Sequence, residues 1–576
     1  MLTRPDYLTF DQLLTRRLFR IPHYQRAYSW QSKQRTDMFN DIENLRAKPE
    51  GFHFMATVVG LHRETITIVA DEYSKIEVVD GQQRLTTLVL LLKAIEQKLN
   101  FQDPTEKALA QELQRLLVKQ DDVSLILLQT NHDQSQYFPN FLIDGARPDD
   151  IKEAKTLADR ELLRAIYECE SFVDKWGDRI ELLRVVKNQL NFIFHEIDKN
   201  NESAVYTVFE VLNNRGLHVS WLDRLKSRLM SVAFENNQGN SSESIDELHR
   251  IWGKIYETIG LRQGLSPEAL RFGATLKSPS QISKPLGEED AVESFTDQVG
   301  VSTSKAREVS NWLLEVTKAV NKFRGDMRYS RDAVTAIAHA RLLAVAIILR
   351  GFPTDQEAKF LNQWEETTFR VFGLCGKDAR TGVGDYVRLA WDIRNKPEVN
   401  SDEILNRITK LGKAHSIDEV LSQAEKHNWY EGWEPELRYL LFRYEEHLSA
   451  QRGQQFSNEQ WDRIWEDSAA KSIEHILPQS SGSQEPLSAD QEGVYVHRLG
   501  NLLLLPPGLN SKLGDKDPKE KAECYLQTGL LSAAEVARTI QQDGWGIEQI
   551  KAREKRVIEW IQEKWGQGES ERDTPS

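Results

Sequence analysis

Cysteine is scarce in this chain. Only Cys169, Cys375 and Cys524 occur among 576 residues, far apart, which excludes a disulfide framework and any zinc site built from CxxC pairs. A reducing, cytoplasmic setting is expected. Long apolar runs are also missing. The greasiest segments, Leu85 to Leu92 and Leu342 to Leu349, fall far short of the ~20 residues needed to cross a bilayer. Met1 to Phe10 has no apolar stretch behind a basic start, so neither export nor a membrane span is expected. Positive charge is not in excess either: 88 acidic against 74 basic side chains leave a net charge of −14, so the chain does not coat DNA by bulk charge. Any nucleic-acid contact must be local. No Gly-x-x-x-x-Gly-Lys-Ser/Thr occurs, and Gly373-Leu-Cys-Gly376-Lys377 is too short, so a nucleotide would not be held by a P-loop. His195-Glu196 lacks the second His of a zinc-protease helix and reads as the end of a strand. No internal repeat is present.

What is there is ordinary globular material, 40% apolar and 28% charged, long enough for two to four folding units at about 100–200 residues each. From Tyr7 to about Ala233, short β-rich runs mix with helices. Phe54 to Leu61, Glu64 to Ala70 and Lys75 to Val79 read as strands, and Val79 leads through Asp80-Gly81-Gln82-Gln83-Arg84 into an apolar helix ending at Leu99. Leu190 to Ile197 reads as a strand, Ala204 to Leu212 as a helix, Asn213 to Gly216 as a turn, and Trp221 to Phe234 as a helix. Asn236 to Ser244 has linker composition. Helical periodicity then recurs at Ile245 to Ile259, Lys305 to Phe323, Ala333 to Leu349, Gln356 to Phe372 and Val383 to Arg394. After the helix Glu434 to His447 come short apolar runs, Ser472 to Leu477 and Gly500 to Leu505, and a charged helix, Asp517 to Gln527. The reading is an α+β multidomain chain, mainly helical: 1–235, a helical middle 236–430, a third domain 431–566, and a disordered tail 567–576. The amphipathic middle helices could bury a core or form a homo-oligomer surface.

Two constellations carry chemistry. Near the carboxyl end, Lys471-Ser-Ile-Glu474-His475-Ile476-Leu-Pro478-Gln479, then His497-Arg498-Leu-Gly500-Asn501-Leu502, then Leu509-Asn510-Ser511-Lys512, place two His, one acid and two Asn at three separated points. Hydrolysis of a phosphodiester needs a base to deprotonate water and a divalent cation to neutralise charge on the phosphate and leaving oxygen. On two short antiparallel strands packed against a helix, His475 would be the catalytic base. Glu474 and Asn510 would be metal ligands for a hard cation such as Mg²⁺, and Asn501 would brace the loop or orient the imidazole. A hairpin with a solvent-facing His and two Asn at turns explains any one element alone; three in order weigh against it. Lys512, Lys516, Lys519 and Lys521 could meet phosphates, but the interspersed Asp515, Asp517 and Glu520 suit a solvated helix face nearly as well.

Near the amino end, Ile21-Pro22-His23-Tyr24-Gln25-Arg26-Ala27-Tyr28-Ser29-Trp30 gathers aromatics, an amide and a guanidinium, suited to a phosphate or flipped base. An ordered loop with core aromatics is the plainer alternative. Between Met1 and Lys48 basic residues outnumber acidic ones, opposite to the whole chain. Asp80-Gly81-Gln82-Gln83-Arg84 lies between strand and helix, where backbone N–H groups and the helix dipole attract anions. Asp80 could bind metal or polarise water with Gln82, Gln83 and Arg84 around a triphosphate. It could equally be an N-cap with Gln83 completing a capping box, which needs no ligand.

Glu474-His475-Ile476-x-Pro478, Gly500-Asn501-Leu502 and Asn510 resemble, in order, the three elements of the HNH (ββα-metal) nucleases in the DUF1524 form, the C-terminal domain of the GmrSD restriction proteins. Glu stands where many HNH nucleases have Asp, and Asn where the name implies His. IPHYQRAYSW, VVDGQQRLTTL and FEVLNNRGLHVSWLDRLKS (Phe209 to Ser227) resemble the DUF262 domain, related to the ParB and sulfiredoxin nucleotide-binding fold. The two regions follow the order of fused GmrSD proteins. The resemblance implies NTP binding and hydrolysis at Asp80, Gly81, Gln82, Gln83 and Arg84, with Asp80 and Arg84 catalytic and Tyr24, Gln25 and Arg26 near the pocket or a DNA-sensing surface. Asn213, Arg215 and Lys226 belong to the third motif. It further implies a modification-dependent, type IV-like endonuclease for anti-phage defence. Its partner would be double-stranded DNA carrying glucosylated hydroxymethylcytosine or phosphorothioate, and NTP would regulate Mg²⁺-dependent HNH cleavage. The rivals are a non-catalytic DNA or nucleotide sensor and an NTPase without nuclease output.

Overall fold

A computed structural model describes residues 6–22, 25, 27–48, 50–119, 125–129, 136–197, 220–235, 241–262, 264–325, 337–424, 428–454, 458–465, 467–479 and 495–566. Helices dominate, beside one small mixed sheet and a two-stranded ribbon, in keeping with the α+β expectation. The backbone packs as two compact units, one of Met1–Ala274 and Gly287–Lys318, the other of Thr275–Leu286 and Ala319–Ser576. The helical block read at 236–430 is therefore divided between them.

The first unit is built on strands β1 (Asp6–Thr9), β2 (Arg17–Ile21), β3 (His53–Ile68), β4 (Asp71–Asp80), β5 (Leu127–Gln129) and β6 (Leu190–Ile197), in spatial order β1-β6-β3-β4-β2-β5. β3 runs antiparallel to β4 and parallel to β6, while β2 is parallel to both β4 and β5. The separate strands expected at Phe54 to Leu61 and Glu64 to Ala70 are one strand. His62-Arg63 contains no turn-forming residue, and only a register irregularity between His62 and Glu64 marks the place. The helix Gln82–Lys98 is buried nearly all round, because the helices Pro104–Leu117 and Leu157–Trp176 pack against it. A reciprocal Thr156/Asp159 capping box starts that second helix. The expected strand Leu190 to Ile197 and helix from Trp221 are present, the latter as Trp221–Glu235. Ser241 to Ser244, read as linker, is instead the first turn of the helix Ser241–Ile259. The helix and turn read at Ala204 to Gly216 and the tail at 567–576 lie outside the described residues.

The second unit packs Ala338–Arg350, Thr354–Thr368, Val383–Asn395, Ser401–Lys413 and Glu434–Gln451 with a carboxyl-terminal pair, Leu531–Asp543 and Ile547–Trp565. That pair was not expected from the sequence. Leu531–Asp543 has no N-cap side chain of its own, yet buried Glu445 accepts hydrogen bonds from the Leu531 and Ser532 backbone N–H groups. A carboxylate from another helix thus satisfies the orphan donors and complements the dipole. The ribbon of β7 (Ile473–His475) and β8 (Leu502–Leu504) sits inside this unit, fully buried, and is followed by the short helix Pro507–Leu513.

The β3–β4 hairpin turns through Val69-Ala70, with Val69 at φ 57° and 79% exposed. A β-branched side chain is disfavoured there, and solvent leaves nothing to compensate it. Val69→Asn should therefore stabilise the first unit by about 1 kcal/mol, read as a higher midpoint of its unfolding transition. An unchanged or lower midpoint would contradict the assignment of strain to this turn.

Candidate functional site

The carboxyl-terminal constellation converges in part. β7 and β8 pair antiparallel, Glu474 opposite Leu503 and His475 opposite Leu502. Successive strand residues point to opposite faces, so Glu474 and His475 meet different neighbours. The Glu474 carboxylate is buried, and its Oε1 lies 2.8 Å from Lys521 Nζ and accepts a 2.8 Å hydrogen bond from the Tyr525 hydroxyl. Burial raises its pKa, opposed by Lys521 and Tyr525. Lys521 also donates to the His475 carbonyl at 2.8 Å and is itself fully buried. Turned inward, it fits neither alternative read for it, a phosphate contact or a solvated helix face; Lys512, Lys516 and Lys519 remain exposed.

The His475 imidazole is 7% exposed. Its Nε2 lies 3.2 Å from His497 Nδ1, its Nδ1 is 3.1 Å from Gln479 Nε2, and the Tyr430 ring meets it edge-on at 4.6 Å. Burial, then the neighbouring His497 and Lys521, pushes its pKa down to about 3. The ring is therefore neutral across the physiological range, the state a base needs before it takes a proton.

Asn501 is wholly buried in the 3-10 turn Leu499–Asn501 just before β8. Its Oδ1 accepts from Leu477 N–H at 2.8 Å and Trp545 Nε1 at 3.2 Å, and its Nδ2 donates to Leu477 O at 3.1 Å and Val496 O at 2.9 Å. An amide engaged on both ends and shut from solvent cannot touch a substrate. Of the two roles read for it, bracing the loop or orienting the imidazole, Asn501 has the first, and it is not among the residues that react. Asn510 donates its amide to the Lys471 and Ile473 carbonyls, both at 2.9 Å, which fixes its orientation and turns Oδ1 away from them. One carboxylate and one amide oxygen suit a hard cation that keeps most of its water. Among the described residues no group of three or more His, Cys, Asp or Glu side chains could hold a metal.

The helix Ile547–Trp565 locks the second element. Arg553 Nη1 donates to the carbonyls of Leu499, Gly500 and Leu502 at 3.1, 2.9 and 2.8 Å, and buried Arg498 pairs with Glu554 through two nitrogens. Gly500 lies so close that a Cβ there would be 2.0 Å from the Ile550 carbonyl oxygen. The glycine of the second motif is thus required by helix packing.

In the first unit, the two amino-terminal motifs form one structure. Gly81 caps the Gln82–Lys98 helix at φ 92°, and a Cβ there would lie 3.0 Å from Val58 Cγ2. The Asp80/Gln83 capping box, one of the two alternatives, is absent: the cap is Gly81, and Gln83 turns inward. Its Oε1 accepts from Ser29 and Trp30 N–H at 2.8 and 3.3 Å, and its Nε2 donates to Ala27 O at 3.2 Å. Gln82 Nε2 donates to Gln25 Oε1 at 3.0 Å, while Gln25 Nε2 donates to Val79 O at 2.7 Å. The three glutamines, read as ligands, fasten Gln25, Ala27, Ser29 and Trp30 to the helix start. Arg84 is exposed, its guanidinium 5.6 Å from the Trp30 ring. Asp80 ends β4 opposite Val59 and is partly buried. Lys226 is buried with its ammonium 5.2 Å from the Tyr256 ring. Tyr24, Arg26, Asn213 and Arg215 lie outside the described residues.

Two family models match the chain: the N-terminal domain of GmrSD restriction endonucleases over residues 10–230, and their C-terminal domain over residues 414–560. The chain belongs to the GmrSD family of restriction endonucleases. No curated protein matches it. The family implies nuclease activity on DNA, and among the described residues no helix is long and apolar enough to cross a membrane. The GmrSD C-terminal match begins before Tyr430 and includes it, a residue the sequence reading left out of the site. Arg35 was also passed over. It is fully buried and ion-paired to Glu161 and Glu168, which fastens the Ser32–Arg46 helix to Leu157–Trp176. A cavity of about 610 Å³ in the second unit, lined by Glu365, Tyr439, Arg443, His447 and Trp560 among others, shares no residue with the His475 cluster. Because backbone and not a pliable side chain faces Gly500, Gly500→Ala should destabilise the second unit by roughly 1–3 kcal/mol and lower its melting temperature. Melting unchanged from the parent would show that the helix is not seated there.

Proposed function

We propose that the second unit hydrolyses the DNA backbone as an HNH nuclease, with His475 as the base that deprotonates water. The observation that carries this reading is the buried imidazole of His475, next in sequence to Glu474 and on the strand whose Ile473 carbonyl Asn510 holds. Two short antiparallel strands followed by a helix support it. His475 takes the proton of the attacking water, whose oxygen bonds to phosphorus as the sugar oxygen leaves. A divalent cation such as Mg²⁺ held by Glu474 and Asn510 would supply charge neutralisation at the scissile phosphate. Tyr525 and Lys521 hold the Glu474 carboxylate, and Asn501 and Arg553 hold the turn that leads into β8.

The first unit would bind and hydrolyse an NTP at Asp80 to Arg84, beside the loop that Gln25, Gln82 and Gln83 fix, and would gate cleavage of modified DNA. Such gating suits a cytoplasmic, anti-phage enzyme, because an ungated nuclease would attack host DNA. Anion-attracting N–H groups at the start of the Gln82–Lys98 helix and the exposed Arg84 support a phosphate-binding role.

The test is digestion of matched DNAs that are unmodified, glucosylated on hydroxymethylcytosine, or phosphorothioated, with and without NTP and Mg²⁺. The parent should cut one modified DNA, lose the activity on chelation, and lose at least about 100-fold on His475→Ala while still binding DNA. Cleavage that persists in His475→Ala would remove the assigned base. Binding without cleavage under every metal condition would leave a sensor instead.

A further inference from the structure

We propose that His497, backed by Glu431, is the positioning residue that fixes the tautomer of His475 and selects Nδ1 of His475 as the basic nitrogen. The inference rests on the reading of His475 as the base and goes beyond it.

Three side chains line up behind the base. His475 Nε2 lies 3.2 Å from His497 Nδ1, and the other nitrogen of His497, Nε2, lies 3.8 Å from Glu431 Oε1. Glu431 is held in its turn. The Asn428 side chain accepts from the Tyr430 and Glu431 backbone N–H groups, both at 3.0 Å, and donates to Glu431 Oε2 at 3.0 Å. One carboxylate oxygen is thus tied to Asn428 while the other faces the imidazole. The Tyr430 ring lies parallel to His497, 4° between planes at 5.5 Å, and edge-on to His475, so it holds both rings. The His497 backbone is fixed as well, its carbonyl accepting from Trp429 N–H at 3.1 Å.

The carboxylate opposite His497 favours one placement of protons. A carboxylate opposite His497 Nε2 favours the proton on that nitrogen, since a lone pair there would face negative charge. His497 Nδ1 then carries the lone pair and accepts from His475 Nε2–H. The lone pair of His475 then falls on Nδ1; the Gln479 amide nitrogen lies 3.1 Å from that atom and 3.2 Å from Nε2, so the choice between them comes from the His497 side. The reverse placement, with His497 Nδ1–H donating, sets a lone pair against Glu431. Gln479 is exposed, so a water molecule can displace its amide at small cost and take the same place on Nδ1. When Nδ1 accepts the proton of that water, the resulting charge is shared through Nε2–H with His497 and faced by Glu431.

Two measurements on the full chain test the proposal. The first is steady-state cleavage of whichever of the matched DNAs the parent cuts best, with Mg²⁺. His497→Ala should lower kcat about 100-fold with KM little changed. His497→Asn, whose side-chain oxygen can accept from His475, should recover at least about tenfold of that loss. Glu431→Gln should lower kcat several-fold. The second is the ¹⁵N spectrum of histidine-labelled protein, with His475 assigned through His475→Ala. The parent should show His475 protonated at Nε2 and bare at Nδ1, and Glu431→Gln should mix the two tautomers. A parent His475 protonated at Nδ1, or parent-like kcat in His497→Ala or Glu431→Gln, overturns the proposal. If His497→Ala does not fold, His497→Asn, Glu431→Gln and the parent spectrum decide. Should His475→Ala itself cut DNA, the nuclease assignment fails; should it be inactive while His497→Ala is unimpaired, only the positioning role fails.

Discussion

The second unit depends on one buried amide. Asn501 ties Leu477, two residues past His475, to Val496, one residue before His497, and also receives the Trp545 indole N–H. Strand pairing across β7 and β8 spans only three residues a side, too little to set the register of two loops by itself. Asn501 does so by satisfying four backbone and side-chain groups at one point, each of which would be costly to bury unpaired. The helix Ile547–Trp565 then clamps the same turn through Arg553 and the close approach at Gly500. The histidines meet because their flanking residues are bonded to one side chain.

Around that brace the electrostatics divide by face. On one side of β7 a buried Lys521 neutralises Glu474 and grips the His475 carbonyl, so the carboxylate is held in place and its charge is tempered. On the other, His475 is kept neutral by burial among Tyr430, His497 and Gln479. The first unit follows a similar economy of polar groups: Gln25, Gln82 and Gln83 join two distant motifs, and Gly81 supplies the left-handed turn that lets the helix begin against Val58.

Much of this was legible in the sequence. β6, the helix from Val383 and the two short ribbon strands follow directly from apolar periodicity and its interruptions, and the match to GmrSD domains agrees with the order of the motifs. What stayed hidden depended on partners remote in the chain. Nothing near Gln83 announces that its amide would clamp Ser29 and Trp30 and leave the cap to Gly81. Lys521, set among Asp and Glu, looks like a solvated residue, and only the fold turns it beneath Glu474. Tyr430 and Glu431 lie more than forty residues before His475 in a short turn, with no spacing that links them to it. A brace was one of two roles read for Asn501, but which backbone groups it joins becomes visible only when its four partners are in place.

The most direct test is the effect of Asn501→Ala on the unfolding of the second unit. Removal of the amide leaves the Leu477 and Trp545 N–H donors and two carbonyls without it, so the unit should lose about 3 kcal/mol or more and its melting temperature should fall clearly below the parent's. A variant that melts with the parent would contradict the claim that this single side chain holds the histidine cluster together.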